Sequence, residues 1–250
     1  MKLTCICHYY NEEYLLPYWI EHHKRIFDNI IFIDHHSTDR SNEIILKHYP
    51  KENIVTSINK EFNAKDCDEE VIRIEWATEG YKIALTITEF LVGNVKKMIE
   101  TYDWDQYLIP VYPMVDSISN EFTELEFPGE SLVGQRMNGI DINRGEQFFL
   151  IRKARSLHLN MPFYPTGRHF TKKNVTDCLI CWYGYSPFNE SIIKRKLQIQ
   201  DRIPESDRQK LFGIEHLVDR NQLISNFRQF QQHAEDLTDI IYPKLQAMYE

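Results

Sequence analysis

Long apolar runs are missing from this 250-residue chain: none approaches the roughly 18 residues that a membrane-spanning helix needs. The opening MKLTCICHYYNEE holds only a short apolar stretch that turns acidic at once, so no signal peptide is read there and a cytoplasmic protein is expected. An excess of positive charge is missing too. The net charge is −8, which argues against nucleic acid held on a broad basic face. Cysteine is scarce and odd in number, five in all, and gives no secreted disulfide framework. Cys178 and Cys181 form a C-x-x-C, but inside the apolar run CLICWYGY and with no second pair at zinc spacing. They are read as buried thiols rather than a metal or redox site, as are Cys5 and Cys7. The chain has no G-x-x-x-x-G-K-[ST] loop, no G-x-G-x-x-G fingerprint and no G-x-S-x-G elbow, which disfavours a phosphoryl or nucleotidyl transferase and a Ser-His-Asp hydrolase. Internal repeats and low-complexity segments are absent as well.

What is present is a well-supplied core. Hydrophobic residues make up 42% of the chain and aromatic residues 13%, enough for one domain, or one domain with an appendage. The first third alternates strand and helix. Residues 3–8 read as a buried strand, and Pro17 opens a helix with Trp19, Ile20, His23, Ile26 and Phe27 along its apolar face. Residues 30–34 form a second strand, then a polar HHSTDRS loop where Asp39 or Ser41 caps a helix running to about Tyr49. Residues 53–58 are a third strand, 69–81 a helix ended by Gly80, and 83–87 a fourth strand. This order predicts an α/β fold: a mainly parallel sheet flanked by helices, with ligand at the carboxyl ends of the strands. His8 to Glu12, Asp34 to Asp39 and Thr88 to Phe90 then surround the site.

Further on, 107–114 and 146–153 look like strands, 116–145 like an irregular excursion, and LHLNMPFYPTGRHF like a loop; LICWYGY is another strand. The tail is helical, with short helices broken at Pro204. From Leu223 its apolar residues fall at spacings of four and three until Pro243 interrupts them. A helix packed on the chain's own domain is expected rather than a dimer seam. The division predicted is a sheet domain over 1–185 and a helical extension over 186–250.

Three blocks carry a resemblance. Asn11, Glu12, Leu15, Leu16, Pro17, Tyr18, Trp19, Ile20, Glu21, His22 and His23 resemble the N-E-x-x-L-L-P-E-W-I-x-H-H pattern of a subgroup of glycosyltransferase family 2. Asp34-His35-His36-Ser37-Thr38-Asp39 is similar to that family's D-N-x-S-T-D turn, and Glu89-Phe90-Leu91 to the end of its D-x-D-E-F-L. Gly167-Arg168-His169-Phe170 resembles a downstream histidine block only weakly. The resemblance covers roughly residues 1–92. It implies a GT-A fold that binds a nucleotide-diphosphate sugar, with a glycan or small molecule as acceptor and His8, Asn11, Glu12, Asp34, His36, Ser37, Asp39, Thr88 and Arg168 at the donor. Asp34 suits this chemically, since a strand-end carboxylate accepts hydrogen bonds from a base N–H or ribose hydroxyls. Asp39 has capping as its alternative, and Asn11 and Glu12 have turn and helix-start roles.

The family's metal ligands are where the chain departs. Thr86-Ile87-Thr88 stands in place of D-x-D, so the implied Mn²⁺ or Mg²⁺ loses both aspartates, and Glu89 alone is a weak anchor. A departing diphosphate still needs positive charge, for which Arg168, His169, Lys172 and Lys173 are candidates, unless they form only an exposed basic turn. Arg168, Lys172 and Lys173 with Lys194, Arg195 and Lys196 leave room for a local basic patch, the alternative being solvated surface charge. Glu89, Asp116 and His169 are the catalytic candidates; for the base, Asp116, Glu130 and Asp141 are not separable by sequence. His22 and His23 point about 100° apart on one helix, and His23 is read as a core histidine. The alternative to a metal-independent transferase is a non-catalytic binding or assembly module on the same fold.

Overall fold

The structure is a computed structural model that describes residues 1–119, 123–126, 131–142, 154–159, 175–210, 212–213 and 216–249. Its first strand is its centre. β1 (Leu3–Tyr9) is buried at all but one position, as a strand covered on both faces must be. β2 (Asn29–Asp34) pairs parallel with one edge of it, β4 (Tyr81–Thr86) parallel with the other, and β3 (Ile54–Thr56) extends the parallel set beyond β2. Past β4 the directions mix. β8 (Ala154–His158) runs antiparallel to both β4 and β6 (Gln106–Val115), and β9 (Leu179–Tyr185) pairs parallel with β6 and antiparallel with β5 (Glu89–Val92). The two-residue strands β7 (Asn138–Gly139) and β10 (Glu235–Asp236) close that side, giving the order β10-β7-β6-β8-β4-β1-β2-β3. The fold is α/β, with a central sheet flanked by helices.

Among the described residues the helices are α1 (Leu16–His23), α2 (Ser41–Leu46), α3 (Ala64–Ala77), α4 (Val95–Tyr102), α5 (Leu132–Gln135), α6 (Glu190–Leu197), α7 (Glu205–Gln209), α8 (Arg220–Gln231) and α9 (Thr238–Ala247). None is long and apolar enough to cross a membrane. Pro17 sits in the first turn of α1, where a missing N–H leaves no bond unmade. Trp19 on that helix is fully buried, and its indole N–H reaches the carbonyls of Glu89 and Thr86 at 2.9 and 3.1 Å. This ties α1 to the turn between β4 and β5. His22 donates from Nε2 to Leu91 O at 2.7 Å; His23 Nε2 accepts the Leu91 N–H, leaving Nδ1–H for Trp19 O. Both are satisfied core histidines.

Several boundaries differ from expectation. α3 begins at Ala64 rather than 69, because Asn63 caps it by accepting from Asp66 N at 3.0 Å, and its polar first turn carries little apolar periodicity to announce it. It ends at Ala77, and Gly80 (φ +81°) makes the turn into β4, where an added Cβ would meet Lys2 O at 2.5 Å. The loop expected from Leu157 starts later, since Leu157 and His158 pair with Ile83 and Lys82 in the sheet. The strand expected over 146–153 lies outside the described residues. The tail's apolar spacing belongs to two helices: α8 stops at Gln231, Glu235 and Asp236 pair with Gly139 and Asn138, and α9 runs through Pro243. Leu223, Phe227 and Phe230 of α8 pack with Tyr185, Phe188 and Ile193, the Phe188 and Phe227 rings stacking at 3.8 Å. Ile241 and Leu245 of α9 enter the main core.

Candidate functional site

Strand register brings the three predicted loops together. His8 stands level with Thr86 across the β1–β4 pair, and Tyr9 with Asp34 across β1–β2, so the chain leaves all three strands at one edge. A cavity of about 330 Å³ opens there. Its wall includes His8 and Glu12 after β1, His35 after β2, Thr86, Thr88 and Glu89 between β4 and β5, Arg155 of β8, Trp182 of β9, and Arg195 and Lys196 of α6.

The sequence candidates divide. His8, Glu12, Thr88 and Glu89 line the cavity; Asn11, Asp34, His36, Ser37, Asp39 and Asp116 are not in its wall; Arg168 and His169 lie outside the described residues, as does Glu130. Asn11, Ser37 and Asp39 stitch the two N-terminal loops to each other. Asn11 Oδ1 accepts from Thr38 N at 2.7 Å and from Asp39 N at 3.3 Å, Ser37 Oγ accepts from Asn11 N at 3.1 Å, and Asp39 takes the N–H of both Glu13 and Ser41. Asn11 and His36 reach this arrangement with φ of +50° and +63°, in the left-handed region. Asp34 accepts from Ser37 N at 2.8 Å and from Asn42 Nδ2 at 2.9 Å. Of the two histidines in this loop it is His35, fully buried, that faces the cavity. Asp116 is turned elsewhere: Ser186 Oγ at 2.5 Å and Phe188 N at 2.6 Å bond its carboxylate.

The charged wall is built of matched pairs. Arg155 donates to Glu89 through Nε and NH2 at 2.7 and 2.8 Å, while the Thr86 N–H adds a third bond at 2.8 Å. Arg195 grips Glu12 the same way, at 2.6 and 2.5 Å. Burial pushes the Glu12 carboxyl up from its ordinary range, and Arg195 opposes this without cancelling it. Lys196 rests its ammonium over the Tyr185 ring, 4.1 Å from the centroid, and 5.4 Å from that of Trp182.

Part of the wall is a histidine cluster. His35 Nδ1 accepts from Arg202, whose guanidinium also covers the Tyr10 ring at 4.0 Å, so Nε2 carries the proton toward Cys67 Sγ at 3.2 Å. Burial, His8 and Arg202 together hold His35 down at about 4. His8 packs edge-on to it, with Nε2 3.7 Å from Glu70 Oε2. Burial would raise Glu70, but His8, the Ser57 hydroxyl and the Ile58 N–H outweigh it and bring the carboxyl to about 2.

A divalent cation has no fitting donor set at the threonine pair. Thr86 and Thr88 offer neutral hydroxyls 3.0 Å apart, and both oxygens of Glu89 are taken. Among the described residues no group of three or more His, Cys, Asp or Glu side chains is arranged to hold a metal ion.

Arg155 was not among the sequence candidates. Nothing local distinguishes it in ARSLH; only the pairing of β8 against β4 and β6 carries it to Glu89. Arg195 and Lys196 were visible as a basic run, but their place depends on how α6 folds back over the first loop.

No family model matches the chain, and no curated protein sequence does. Among solved structures it is similar to S. aureus TarS 1–349 in complex with UDP-GlcNAc, at 18% identity over 50% of this chain and 37% of that one, with a TM-score of 0.33. A second TarS 1–349 structure gives 13% identity over 87% and 71%, with a TM-score of 0.41. Glucosyl-3-phosphoglycerate synthase from Mycobacterium tuberculosis in complex with Mg²⁺ and UDP gives 12% identity over 63% and 56%, with a TM-score of 0.35. The chain thus spans less than two thirds of the length of the first and third of these.

Proposed function

We propose that the chain is a glycosyltransferase that takes a sugar from a nucleotide-diphosphate sugar and passes it to a glycan or small acceptor, without a metal at the usual acidic pair. One observation carries this reading: each of the three family-like blocks contributes a residue to a single strand-end cavity, Glu12 from the first, His35 from the second and Glu89 from the third. Strand-end loops of parallel sheets are where such folds hold their ligands. The cavity is of the size that suits a small-molecule ligand, and its wall mixes aromatic rings with fixed charges. Trp182 brings an aromatic ring to the wall, a residue type on which sugar rings stack.

The same wall favours a second reading, a binding or assembly module without turnover. Glu12 and Glu89 are each claimed by an arginine, which leaves neither as a ready base for an acceptor hydroxyl. Release of nucleoside diphosphate from a panel of uridine and guanosine diphosphate sugars, followed in chelator with mixed acceptors, separates the two. Steady release supports the transferase. Binding without release supports the module, and neither binding nor release removes both.

A further inference from the structure

We infer that Arg155, held in place by Glu89, is a fixed cation that receives a diphosphate, so that this cavity binds phosphoanhydride ligands without a divalent metal. The inference deepens the nucleotide-sugar reading and rests on it for the ligand's wider identity. Its observations are separate.

The first is position. The β4–β8 register pairs Ile83 with Leu157, and carried two residues further it sets Arg155 level with the end of β4, beside the Thr86-Ile87-Thr88 turn. A positive group therefore stands next to the segment that takes the place of an acidic metal site. The second is the state of its donors. The residue is 5% exposed, yet it lines the cavity. A guanidinium has five N–H donors in a planar fork. Glu89 takes one from Nε and one from NH2, and among the described residues NH1 has no hydrogen-bond partner. The guanidinium edge that Glu89 does not cover lines the cavity with its N–H groups available, and two such donors match the oxygens of an anion.

The third observation is how firmly the edge is held. Glu89 is bound bidentately by Arg155 and again by the Thr86 N–H, and its own carbonyl accepts from Trp19 Nε1. The arginine cannot swing away to solvent without stranding the carboxylate of a buried glutamate. Donors fixed before the ligand arrives lose little on binding. Thr86 and Thr88 add hydroxyls that suit phosphate oxygens better than a cation. Of the wall's other acidic groups, Glu12 is paired with Arg195 and Asp207 is spent on Asn63 Nδ2 and Ala64 N at the start of α3, while Asp68 of α3 also lines the cavity.

The probe is inorganic pyrophosphate, titrated calorimetrically into the whole chain in excess chelator and again with Mn²⁺. Wild type is expected to bind in chelator, with Mn²⁺ changing the affinity less than about threefold. Arg155→Met combined with Glu89→Gln keeps the volume of the pair without its charges, and is expected to weaken pyrophosphate by about tenfold to a hundredfold, the worth of one or two charge-assisted bonds. Should the double variant fail to fold, Arg155→Lys keeps the charge but loses the fork, and about a tenfold weakening is expected of it. Binding that requires Mn²⁺, or that is indifferent to these variants, overturns the inference. The outcomes for the broader reading differ. Pyrophosphate binding with no preference for any nucleotide sugar leaves this inference standing and removes the donor assignment; nucleotide-sugar binding that appears only with Mn²⁺ does the reverse.

Discussion

Arg195 of α6 and Glu12 of the β1–α1 loop, 183 residues apart in the chain, share two hydrogen bonds at 2.6 and 2.5 Å. The helical C-terminal part is thereby fastened across the first loop of the sheet, and one wall of the cavity depends on that closure. Arg195→Met leaves the carboxylate of the buried Glu12 without its counter-charge. The expected loss is about 3 kcal/mol of unfolding free energy, read from urea denaturation, with Arg195→Met combined with Glu12→Gln recovering most of it. A loss under about 1 kcal/mol would mean that the pair does not hold the loop.

Trp19→Phe tests the link between the core and the cavity. The indole N–H bonds Glu89 O and Thr86 O, and phenylalanine keeps most of the ring volume while leaving both carbonyls without that donor. The expected cost is about 1–3 kcal/mol in thermal or urea unfolding. Because the bonded turn carries Thr86 and Glu89, ligand affinity at the cavity should fall as well. Stability lost with affinity intact would separate α1 from the site.

Much of this arrangement could be read from the sequence, and the part that could not has a physical cause. β1, β2 and the start of α1 were legible because consecutive apolar residues and Pro17 declare themselves locally. So was the edge where the ligand belongs, since it follows from parallel strands alone. What local signals could not give were the partners. Asn11, Ser37 and Asp39 have the residue types of a binding loop, yet their polar atoms meet one another. Glu89 reads as a metal ligand that has lost its companions; its actual partner, Arg155, lies 66 residues away, reached through a strand whose register no motif records. Pairing across a sheet is set by packing over the whole face, so a residue's counter-charge is invisible until the strands are placed.

Gly93 is predicted to tolerate no side chain. It has φ of +120°, and an added Cβ would meet Asp177 O at 2.5 Å and Cys178 Sγ at 2.8 Å, where the exit of β5 passes the entry of β9. Gly93→Ala is expected to cost about 2 kcal/mol or more, since backbone strain and overlap add. A melting temperature unchanged from wild type would contradict the packing of β5 on β9.

Acid should unfold the protein earlier than its carboxylates alone dictate. Burial holds His22 and His35 at about 4 and pushes His23 well below its ordinary range, whereas all three titrate near 6.5 once unfolded. Between those values the unfolded chain binds more protons, so stability is full above about 6.5 and falls as pH drops toward 4. Glu12, raised by burial, works in the opposite sense near the carboxylate range. His22→Gln keeps a donor for Leu91 O and removes one titrating group. It is expected to flatten the slope of stability against pH by up to about 1.4 kcal/mol per pH unit in urea titrations at successive pH values.

The most direct measurement is the melting temperature of the protein with a panel of uridine and guanosine diphosphate sugars, each in chelator and in Mn²⁺. A ligand that binds only the folded chain raises the melting temperature by mass action, with no need to know the acceptor. The account predicts a rise with at least one nucleotide sugar that persists in chelator. No rise with any of them, in chelator or in Mn²⁺, would contradict it.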